Sequence, residues 1–384
     1  MKIIVLGAGR MGLGAAYDLA HNSPGVTAIT IADADAEKVR QVVRQVDSHI
    51  LGGVTLDVSD EAATIQLLRG HDAAISCVNY WYNERLAQTC ITAGVNFCDL
   101  GGNNDVVRAE LALNEQARAA GINIIPDCGL APGMVSVLAA HGAQRFTALD
   151  SLHIRVGGLP QQPAPPLNYQ IVFSPEGLIN EYIERARVIR DGKICEVDSM
   201  TELEWLEFPP PYGKLEAFQT SGGTSTLPDT FLGLVRELDY KTLRYPGHCE
   251  QFKLLLDLGL ASSEPVTAEG VMVSPRRVLS EVLLRNLPSD GPDLVFVNLA
   301  FHGTMDGLKR ALRYTIIDRY DETTNLSAMM RTTAFPASII AQMMAKGETL
   351  QRGAIPQELA IPPDAFVAEL ARRDINIRET VSIE

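Results

Sequence analysis

The first 125 residues alternate short apolar runs with stretches of helical spacing. The apolar or β-rich runs predict strands at residues 2–6, 26–31, 54–56, 73–78, 95–98 and 122–125. The stretches between them predict helices at residues 11–21, 36–46, 61–69, 84–93 and 105–120. Strands that alternate with helices of this length are typical of a doubly wound sheet of parallel strands. We therefore predict an α/β domain in this part of the chain.

After Pro126 the pattern changes to runs in which apolar and polar residues alternate. A helix is predicted to begin at Pro132, because proline is favoured in the first helical turn. The predicted strands are residues 151–156, 187–190, 193–197, 293–301 and 310–318. Asp191-Gly192 is a two-residue hairpin signal, and residues 331–344 predict a further helix. This region therefore predicts an α+β domain with a mixed or antiparallel sheet that has one covered face.

The composition narrows the class of protein. The 384 residues include 33 Lys and Arg but 47 Asp and Glu, which gives a net charge of −14. Such acidity argues against nucleic acid and against an anionic membrane surface as partners, because both attract basic patches. With 46% hydrophobic residues the chain can bury large cores. No apolar run reaches the roughly 18 residues that a membrane span needs.

The cysteine usage and the first residues favour a reducing compartment. Six cysteines are scattered without a CxxC pair, which is more typical of reduced thiols than of a disulfide framework or a zinc site. The apolar stretch after Met1 is too short for a secretory signal. We therefore expect a cytoplasmic protein that holds no metal.

The first predicted strand leads into Gly7-Ala8-Gly9-Arg10-Met11-Gly12, a GxGxxG motif that opens the first helix. In such a motif Gly7 permits the tight turn, Gly9 lets the backbone approach a pyrophosphate, and Gly12 allows the helix to pack on the strand. The helix N-terminus then offers N–H groups to the phosphates. We expect the two residues between the second and third glycines to contact the dinucleotide as well. The context therefore predicts a Rossmann-type domain.

An acidic residue follows at the end of the second predicted strand, roughly 20 residues beyond the motif. This residue, Asp33, is expected to bind the hydroxyls of the adenosine ribose. The next residue is Ala34 rather than an arginine, so no cation is placed to hold the 2′-phosphate of NADP. The sequence therefore favours NAD as the cofactor. A glycine turn without a ligand is the alternative.

Polar and aromatic residues follow the later strands of the predicted sheet, in segments 79–83, 99–102 and 127–133. Open parallel sheets bind ligands beyond the carboxyl ends of their strands, so these segments are expected to line the nicotinamide and substrate pocket. We assign Val78, Asn79, Leu100 and Gly101 to the cofactor, Tyr80 and Asp127 to the substrate, and Asp99 to catalysis. Packing of an exposed loop is the alternative for Tyr80, and a helix cap or turn is the alternative for Asp99.

Residues 241–248 hold a lysine, an arginine, a tyrosine and a histidine in an acidic protein. If a strand runs through Tyr245, Lys241 and Tyr245 share one face and Arg244 lies on the other. Arg244 suits bidentate capture of a carboxylate. Lys241 or His248 can transfer protons near neutral pH once its pKa is shifted. A surface strand that ends at a Pro-Gly turn is the alternative.

A loop rich in glycine and hydroxyl side chains precedes this segment, at residues 218–226. Its Thr220 and Ser221 are expected to help bind a substrate carboxylate, because such a loop can present backbone N–H groups. A plain turn is the alternative.

Several segments make the chain similar to one known family. They are residues 7–12, 99–102, 126–134, 157–160, 173–178, 216–226 and 240–248. On these segments the sequence resembles the saccharopine dehydrogenase-like family, and within it the bacterial lysine 6-dehydrogenases. The resemblance covers nearly the full length.

The resemblance implies NAD-dependent oxidation of the ε-amine of L-lysine to allysine, which cyclises to Δ1-piperideine-6-carboxylate. It also implies that the last segment returns to the first domain. Residues 1–130 and 331–384 would then form the Rossmann domain, and residues 131–330 the domain for substrate binding and dimerisation. A homodimer or a larger homo-oligomer is expected.

This reaction requires a neutral amine, because a hydride must leave the carbon that carries the nitrogen. Asp99 or Asp127 is expected to place a negative charge near that nitrogen. Arg244 is expected to anchor the α-carboxylate, and Lys241 or His248 to move protons.

Three other activities stay open. One is a saccharopine- or carboxynorspermidine-type reductase, against which Asp33 followed by Ala34 counts, because such enzymes often use NADP. The second is a cyclodeaminase-like lyase that uses NAD internally and releases ammonia without net NADH. The third is a non-catalytic NAD sensor, against which the polar cluster at residues 241–248 counts.

Overall fold

The computed structural model describes residues 1–384 and divides them into two compact units. The first unit contains residues 1–145 and 330–377, and the second contains residues 146–329 and 378–384. These boundaries differ from the predicted ones. Residues 131–145 belong to the first unit, where their helix packs on helices of the returning segment, and residues 378–384 belong to the second, where they add a strand to its sheet.

The first unit is built around a seven-stranded, fully parallel sheet. Its strands, numbered along the whole chain, are β1 (Lys2–Leu6), β2 (Ala28–Asp33), β3 (Leu51–Thr55), β4 (Ala73–Ser76), β5 (Asn96–Asp99), β6 (Asn123–Ile125) and β17 (Gly353–Ala354). Its helices are α1 (Arg10–His21), α2 (Ala36–Val46), α3 (Glu61–Leu68), α4 (Asn83–Ala93), α5 (Asn104–Leu111), α6 (Asn114–Ala120), α7 (Val135–Ala143), α12 (Ala328–Lys346), α13 (Gln357–Ala360) and α14 (Pro363–Ala371). The strand order β17-β6-β5-β4-β1-β2-β3 is that of a doubly wound sheet.

The second unit is built around a nine-stranded mixed sheet. Its strands are β7 (Ala148–Pro160), β8 (Ala186–Arg190), β9 (Lys193–Val197), β10 (Glu204–Phe208), β11 (Gly213–Gln219), β12 (Glu237–Arg244), β15 (Asp293–Met305), β16 (Leu308–Arg319) and β18 (Arg378–Ile383), and β13 (Val266–Ala268) and β14 (Val271–Val273) form a separate hairpin. Its helices are α8 (Pro175–Ile183), α9 (Leu227–Phe231), α10 (His248–Asp257) and α11 (Pro275–Asn286). The main order is β10-β11-β12-β7-β15-β16-β18, with β8 pairing to β12 and β9. Only β7 and β12 run parallel, so the predicted fold class is confirmed for both units.

Local sequence signals explain several of these elements. Ile3 to Leu6 are completely buried, because a central parallel strand is covered on both faces and therefore reads as a continuous apolar run. Asp35 accepts the N–H of Glu37 (2.9 Å) and so caps the start of α2. Asp191 and Gly192 both have left-handed backbone (φ 50° and 75°), which is the geometry of the tight turn predicted between β8 and β9.

Two predicted helices differ from the observed ones. The helix predicted at residues 105–120 is divided into α5 and α6, and neither glycine nor proline marks the break at Ala112 and Leu113. The helix predicted from Pro132 begins only at Val135, because Pro132 has an extended ψ of 166° and Gly133 a left-handed φ of 123°. The sequence signal at Pro132 therefore marks a turn before the helix rather than the helix itself.

The returning segment is tied into the first unit by one strand and one buried ion pair. Strand β17 extends the sheet beyond β6. Arg373 Nε lies 2.6 Å from Asp18 Oδ1 on α1, and both side chains are fully buried. Arg373 also donates from Nη2 to Ser23 Oγ at 3.2 Å. None of the helices combines the length and the apolar composition needed to cross a bilayer.

The substitution Arg373→Ala should lower the free energy of unfolding by about 3–5 kcal/mol, because it leaves the Asp18 carboxylate buried without its counter-charge. Urea denaturation followed by circular dichroism measures the change. Arg372→Ala is the matched control. Its ion pair with Glu369 lies on an arginine side chain that is 73% exposed, so its loss should cost less than about 1 kcal/mol. Equal losses in the two variants would contradict a stabilising role for the buried pair.

Candidate functional site

The loop between β1 and α1 has the backbone geometry of a phosphate-binding turn. Gly7 has a left-handed φ of 105°, and a Cβ atom at Gly12 would lie 1.8 Å from the Gly7 carbonyl oxygen. A Cβ atom at Gly9 would meet no protein atom within 4 Å. Gly9 is the N-cap residue of the 12-residue helix α1, and no side chain caps this end of the helix. The loop therefore leaves open the side on which a pyrophosphate is expected to approach.

Asp33 is fixed beside this loop at the end of β2. Its Oδ2 accepts the N–H of Ala8 at 2.7 Å, and its Oδ1 accepts the N–H of Asp35 at 2.8 Å. The neighbouring Ala34 brings no positive charge. A carboxylate in this place accepts hydrogen bonds from ribose hydroxyls and repels a 2′-phosphate. The glycine motif, which includes the predicted cofactor residues Arg10 and Met11, is thus tied to Asp33 through Ala8, and its geometry fits a nicotinamide dinucleotide.

The carboxyl ends of β4 and β5 lie beside the glycine loop and beside each other. A Cβ atom at Gly7 would lie 2.7 Å from the Cys77 carbonyl oxygen and 3.1 Å from the Val78 nitrogen. A Cβ atom at Gly102 would lie 3.0 Å from Tyr80, so this ring packs on the loop that follows β5. The structure therefore brings the predicted residues Val78, Asn79, Tyr80, Leu100 and Gly101 to one edge of the sheet.

Asp99 organises the backbone at this edge. Its side chain is fully buried, and its Oδ1 accepts the N–H groups of Gly101 (2.6 Å) and Asp127 (3.2 Å). This is the turn-forming role that the sequence left open as the alternative. Burial raises the pKa of Asp99. Asp127 is also buried, and its Oδ1 lies against Gly101. The catalytic role of Asp99 and the substrate contact of Asp127 stay predictions.

Glu110, on α5, completes a carboxyl cluster with Asp99 and Asp127. It is fully buried, and its carboxyl group interacts with that of Asp99. Burial and then the negative charge of Asp99 raise the pKa of Glu110 to about 12. Glu110 is therefore neutral at pH 7 and limits the charge of the cluster. Sequence reasoning missed Glu110. The signal that could have identified it is its position three residues after the apolar Val107, which places both residues on the same face of the helix.

In the second unit, β12 separates the basic residues that the sequence grouped together. Arg244 is buried and shares a strand face with Tyr240 and Thr242, because side chains alternate along a strand. Lys241 lies on the opposite face, where Nζ bonds to Glu204 Oε2 at 3.0 Å and to a backbone carbonyl at 2.7 Å. The structure therefore does not bring Lys241 together with Arg244 and His248. A proton-transfer role for Lys241 stays a prediction that these contacts do not support.

Arg244 is a buried guanidinium with incomplete hydrogen bonding. Its Nε donates to Tyr182 Oη and its Nη1 to the Leu243 carbonyl, both at 2.9 Å. The ring of Tyr169 lies 4.9 Å from its Cζ. Its Nη2 donates no hydrogen bond within the protein, and no carboxylate forms an ion pair with it. A buried charge needs compensation, and a carboxylate is the ligand that this group binds best.

His248 supports Arg244 through Tyr182. Its Nδ1 donates to the Leu167 carbonyl at 3.0 Å, so the unprotonated Nε2 accepts the Tyr182 hydroxyl proton, also at 3.0 Å. Burial, and then the positive charge of Arg244, lower the pKa of His248 to about 3. The ring is therefore neutral at pH 7. The hydrogen bonds of both ring nitrogens fit a positioning role for His248. Its part in proton transfer stays a prediction.

The hydroxyl-rich loop before β12 packs on the same face of the strand as Arg244. Thr220 Oγ1 and Thr242 Oγ1 are 2.8 Å apart. The N–H of Ser221 donates to the Glu181 carbonyl on α8 at 2.9 Å. The structure thus places Thr220 and Ser221 near Arg244, and it adds α8, which sequence reasoning missed.

The fold and the glycine loop define a Rossmann-type protein that binds a nicotinamide dinucleotide. Residues 3–125 match the family described as saccharopine dehydrogenase NADP binding domain, and residues 129–375 match its C-terminal domain. The chain therefore belongs to the saccharopine dehydrogenase family of NAD(P)-dependent oxidoreductases.

The relatives of known activity are distant in sequence. Carboxynorspermidine synthase of Vibrio cholerae is 24% identical over 96% of this chain and 94% of its own. Saccharopine dehydrogenase (NADP⁺, L-glutamate-forming) of Schizosaccharomyces pombe is 24% identical over 70% of this chain and 60% of its own. The structure of saccharopine dehydrogenase (L-Glu forming) of Saccharomyces cerevisiae has a TM-score of 0.81 at 20% identity, with 99% of both chains covered. These names correspond to an alternative activity rather than to lysine 6-dehydrogenase.

Gly9→Ala should weaken NAD binding by about tenfold or more, because the added methyl group enters the open space beside the loop. The fold should be retained, since that methyl group meets no protein atom within 4 Å. Calorimetric titration with NAD and a thermal melt measure the two effects. Gly12→Ala is the contrast, because its Cβ would clash with the Gly7 carbonyl and lower the melting temperature as well. Unchanged NAD affinity in Gly9→Ala would contradict the assignment of the loop.

Glu110→Gln should flatten the fall in stability that accompanies rising pH. Folded Glu110 keeps its proton, whereas the unfolded side chain ionises above about pH 4.5. Unfolding then releases a proton, so wild-type stability decreases as pH rises above that value. The amide carries no such linkage, and at pH 7 the variant should gain on the order of 2–4 kcal/mol relative to its behaviour at pH 4.

Urea denaturation at several pH values measures this difference. Glu115→Gln, on an exposed side chain of α6, is the control and should follow the wild-type pH profile. A Glu110→Gln profile parallel to the wild type would show that Glu110 is ionised in the folded protein.

Proposed function

We propose that this protein is an NAD-dependent dehydrogenase that oxidises the ε-amine of L-lysine to allysine, which cyclises to Δ1-piperideine-6-carboxylate. The observation that carries the proposal is Arg244, a buried guanidinium whose Nη2 has no partner within the protein and which suits the carboxylate of an amino acid. The family membership supplies the reaction class, and the resemblance to lysine 6-dehydrogenases supplies the amine.

The choice of NAD rests on Asp33. Its carboxylate is held in place by two backbone N–H groups, and the next residue, Ala34, is uncharged. A 2′-phosphate would be repelled by the negative charge of Asp33. The matching family is named for NADP binding. The preference of this chain for NAD over NADP is therefore a property that has to be measured.

A nicotinamide dinucleotide held by the loop of residues 7–12 and by Asp33 would supply the acceptor for the hydride that leaves the carbon carrying the amine. Before that, the amine must be neutral, and afterwards the iminium carbon must take up water and release ammonia. Within the carboxyl cluster, Glu110 keeps its proton, so Asp99 and Asp127 are the groups that we assign to stabilising a substrate cation. Burial raises the pKa of Asp99, and we assign its carboxylate as the acceptor of the proton of the ammonium group.

A reductase that acts on a larger secondary amine is the second candidate. It is favoured by the match to carboxynorspermidine synthase, which extends over nearly the full length of both chains. Such an enzyme also needs a nicotinamide loop and an arginine for a carboxylate, so the geometry described above does not separate it from a lysine dehydrogenase. Its substrate would be an imine formed from a carbonyl compound and an amine.

An absorbance assay for NADH or NADPH separates these activities. The purified protein is incubated with NAD or NADP and with lysine, ornithine, saccharopine or alanine. We expect NADH with lysine and NAD, and much slower reaction with NADP. Turnover of saccharopine but not lysine would favour the second candidate. Ammonia release without NADH would favour a lyase, and no turnover of any amine would contradict the proposal.

A further inference from the structure

A carboxylate on α8 is the second charged group in the surroundings of Arg244. Glu181 precedes Tyr182, which bonds to Arg244, and its own carbonyl accepts the N–H of Ser221. Its side chain is half-buried, and it forms neither a hydrogen bond nor an ion pair within the protein. Burial raises the pKa of Glu181 to about 7, although the positive charge of Arg244 opposes the shift. Glu181 is therefore a desolvated carboxylate without a bonded partner.

The other carboxylate near Arg244 is already engaged. Glu216, on β11, accepts the N–H of Gly247 at 2.8 Å and the N–H of Cys249 at 2.6 Å. Both of its oxygens thus bind the start of α10. Glu181 and Arg244 therefore lie near enough for their charges to interact. They do not form an ion pair with each other.

Hydrogen bonds hold the backbone of α8 in place around Glu181. Tyr182 anchors α8 to Arg244 and to His248. The N–H of Ser221 holds the Glu181 carbonyl, and the adjacent Thr220 bonds to Thr242, two residues before Arg244 on the same strand face. The three tyrosines that surround Arg244 (Tyr169, Tyr182 and Tyr240) all have pKa values that the charge of Glu181 helps to raise.

We propose that Glu181 and Arg244 together bind the head group of an α-amino acid, with the α-ammonium group at Glu181 and the α-carboxylate at Arg244. An α-amino acid carries these two opposite charges on groups bonded to the same carbon, and each would meet the charge that the protein leaves unpaired. The pair would make the protein selective for α-amino acids over diamines without a carboxylate and over amino carboxylates without an α-amine. This inference takes one point from the proposed function, namely that the ε-amine of lysine is the group that reacts.

Three related amines test the two contacts separately. Lysine has both head-group charges, 6-aminohexanoate lacks the α-amine, and cadaverine lacks the carboxylate. In Glu181→Gln the KM for lysine should rise about tenfold or more, whereas the KM for 6-aminohexanoate should stay within about twofold. In Arg244→Ala the KM should rise for both carboxylates and stay unchanged for cadaverine. An equal effect of Glu181→Gln on lysine and 6-aminohexanoate would overturn the proposal.

Glu184→Gln is the matched control for charge. It removes a negative charge one helical turn away, and this charge also acts on Glu181. Discrimination between lysine and 6-aminohexanoate should persist in this variant, and its loss would reduce the role of Glu181 to general electrostatics. Thermal melts establish that all three variants fold.

A second measurement separates failure of this inference from failure of the proposed function. If lysine is not oxidised, calorimetric titration with lysine and with 6-aminohexanoate in the presence of NAD replaces the kinetic assay. Tighter binding of lysine in the wild type, lost in Glu181→Gln, would support the head-group site while the lysine oxidation fails. Equal or absent binding of the two ligands would overturn the inference.

Discussion

Charged groups that are removed from water must be neutralised by a partner, a proton or a ligand, and this constraint shapes the structure at three places. In the first unit, Arg373 neutralises Asp18 directly. Glu110 retains a proton beside Asp99 and so avoids a second buried negative charge. In the second unit, Arg244 has neither solution, because its hydrogen-bond partners are a phenol and a carbonyl group. An anionic ligand is the solution that remains for it.

The same distinction separates the residues that stabilise the fold from those that bind ligands. Where two charged side chains of the protein form a buried ion pair, as Asp18 and Arg373 do, the contact is structural. Where a requirement stays open, as at Arg244 or at the space beside Gly9, the position suits a ligand. His248 shows why residue type is not enough, because its two nitrogens are both engaged and its pKa lies far below neutral pH.

The signals that predicted the fold correctly are local ones. The glycine motif and Asp33 act within one βαβ unit, and the turn at Asp191-Gly192 joins neighbouring strands, so short-range backbone geometry decides both. The sites that sequence reasoning missed, Glu110 and Glu181, lie on helices whose packing partners come from distant parts of the chain. A carboxylate on a helix looks like a surface residue until the sheet that covers it is known.

The doubly wound domain, its dinucleotide loop, the mixed character of the second sheet and the family all follow from periodicity, turn chemistry or a motif of fixed spacing, which are properties of the amino-acid sequence. Which charged groups meet depends instead on how the chain is packed. In the sequence, Lys241 and Arg244 lie within eight residues and were predicted to form one basic cluster. Side chains alternate along β12, however, so Lys241 forms an ion pair on one face of the strand and Arg244 is buried among tyrosines on the other. Burial and long-range contacts fix the protonation and partners of each group, and these are properties of the packed chain.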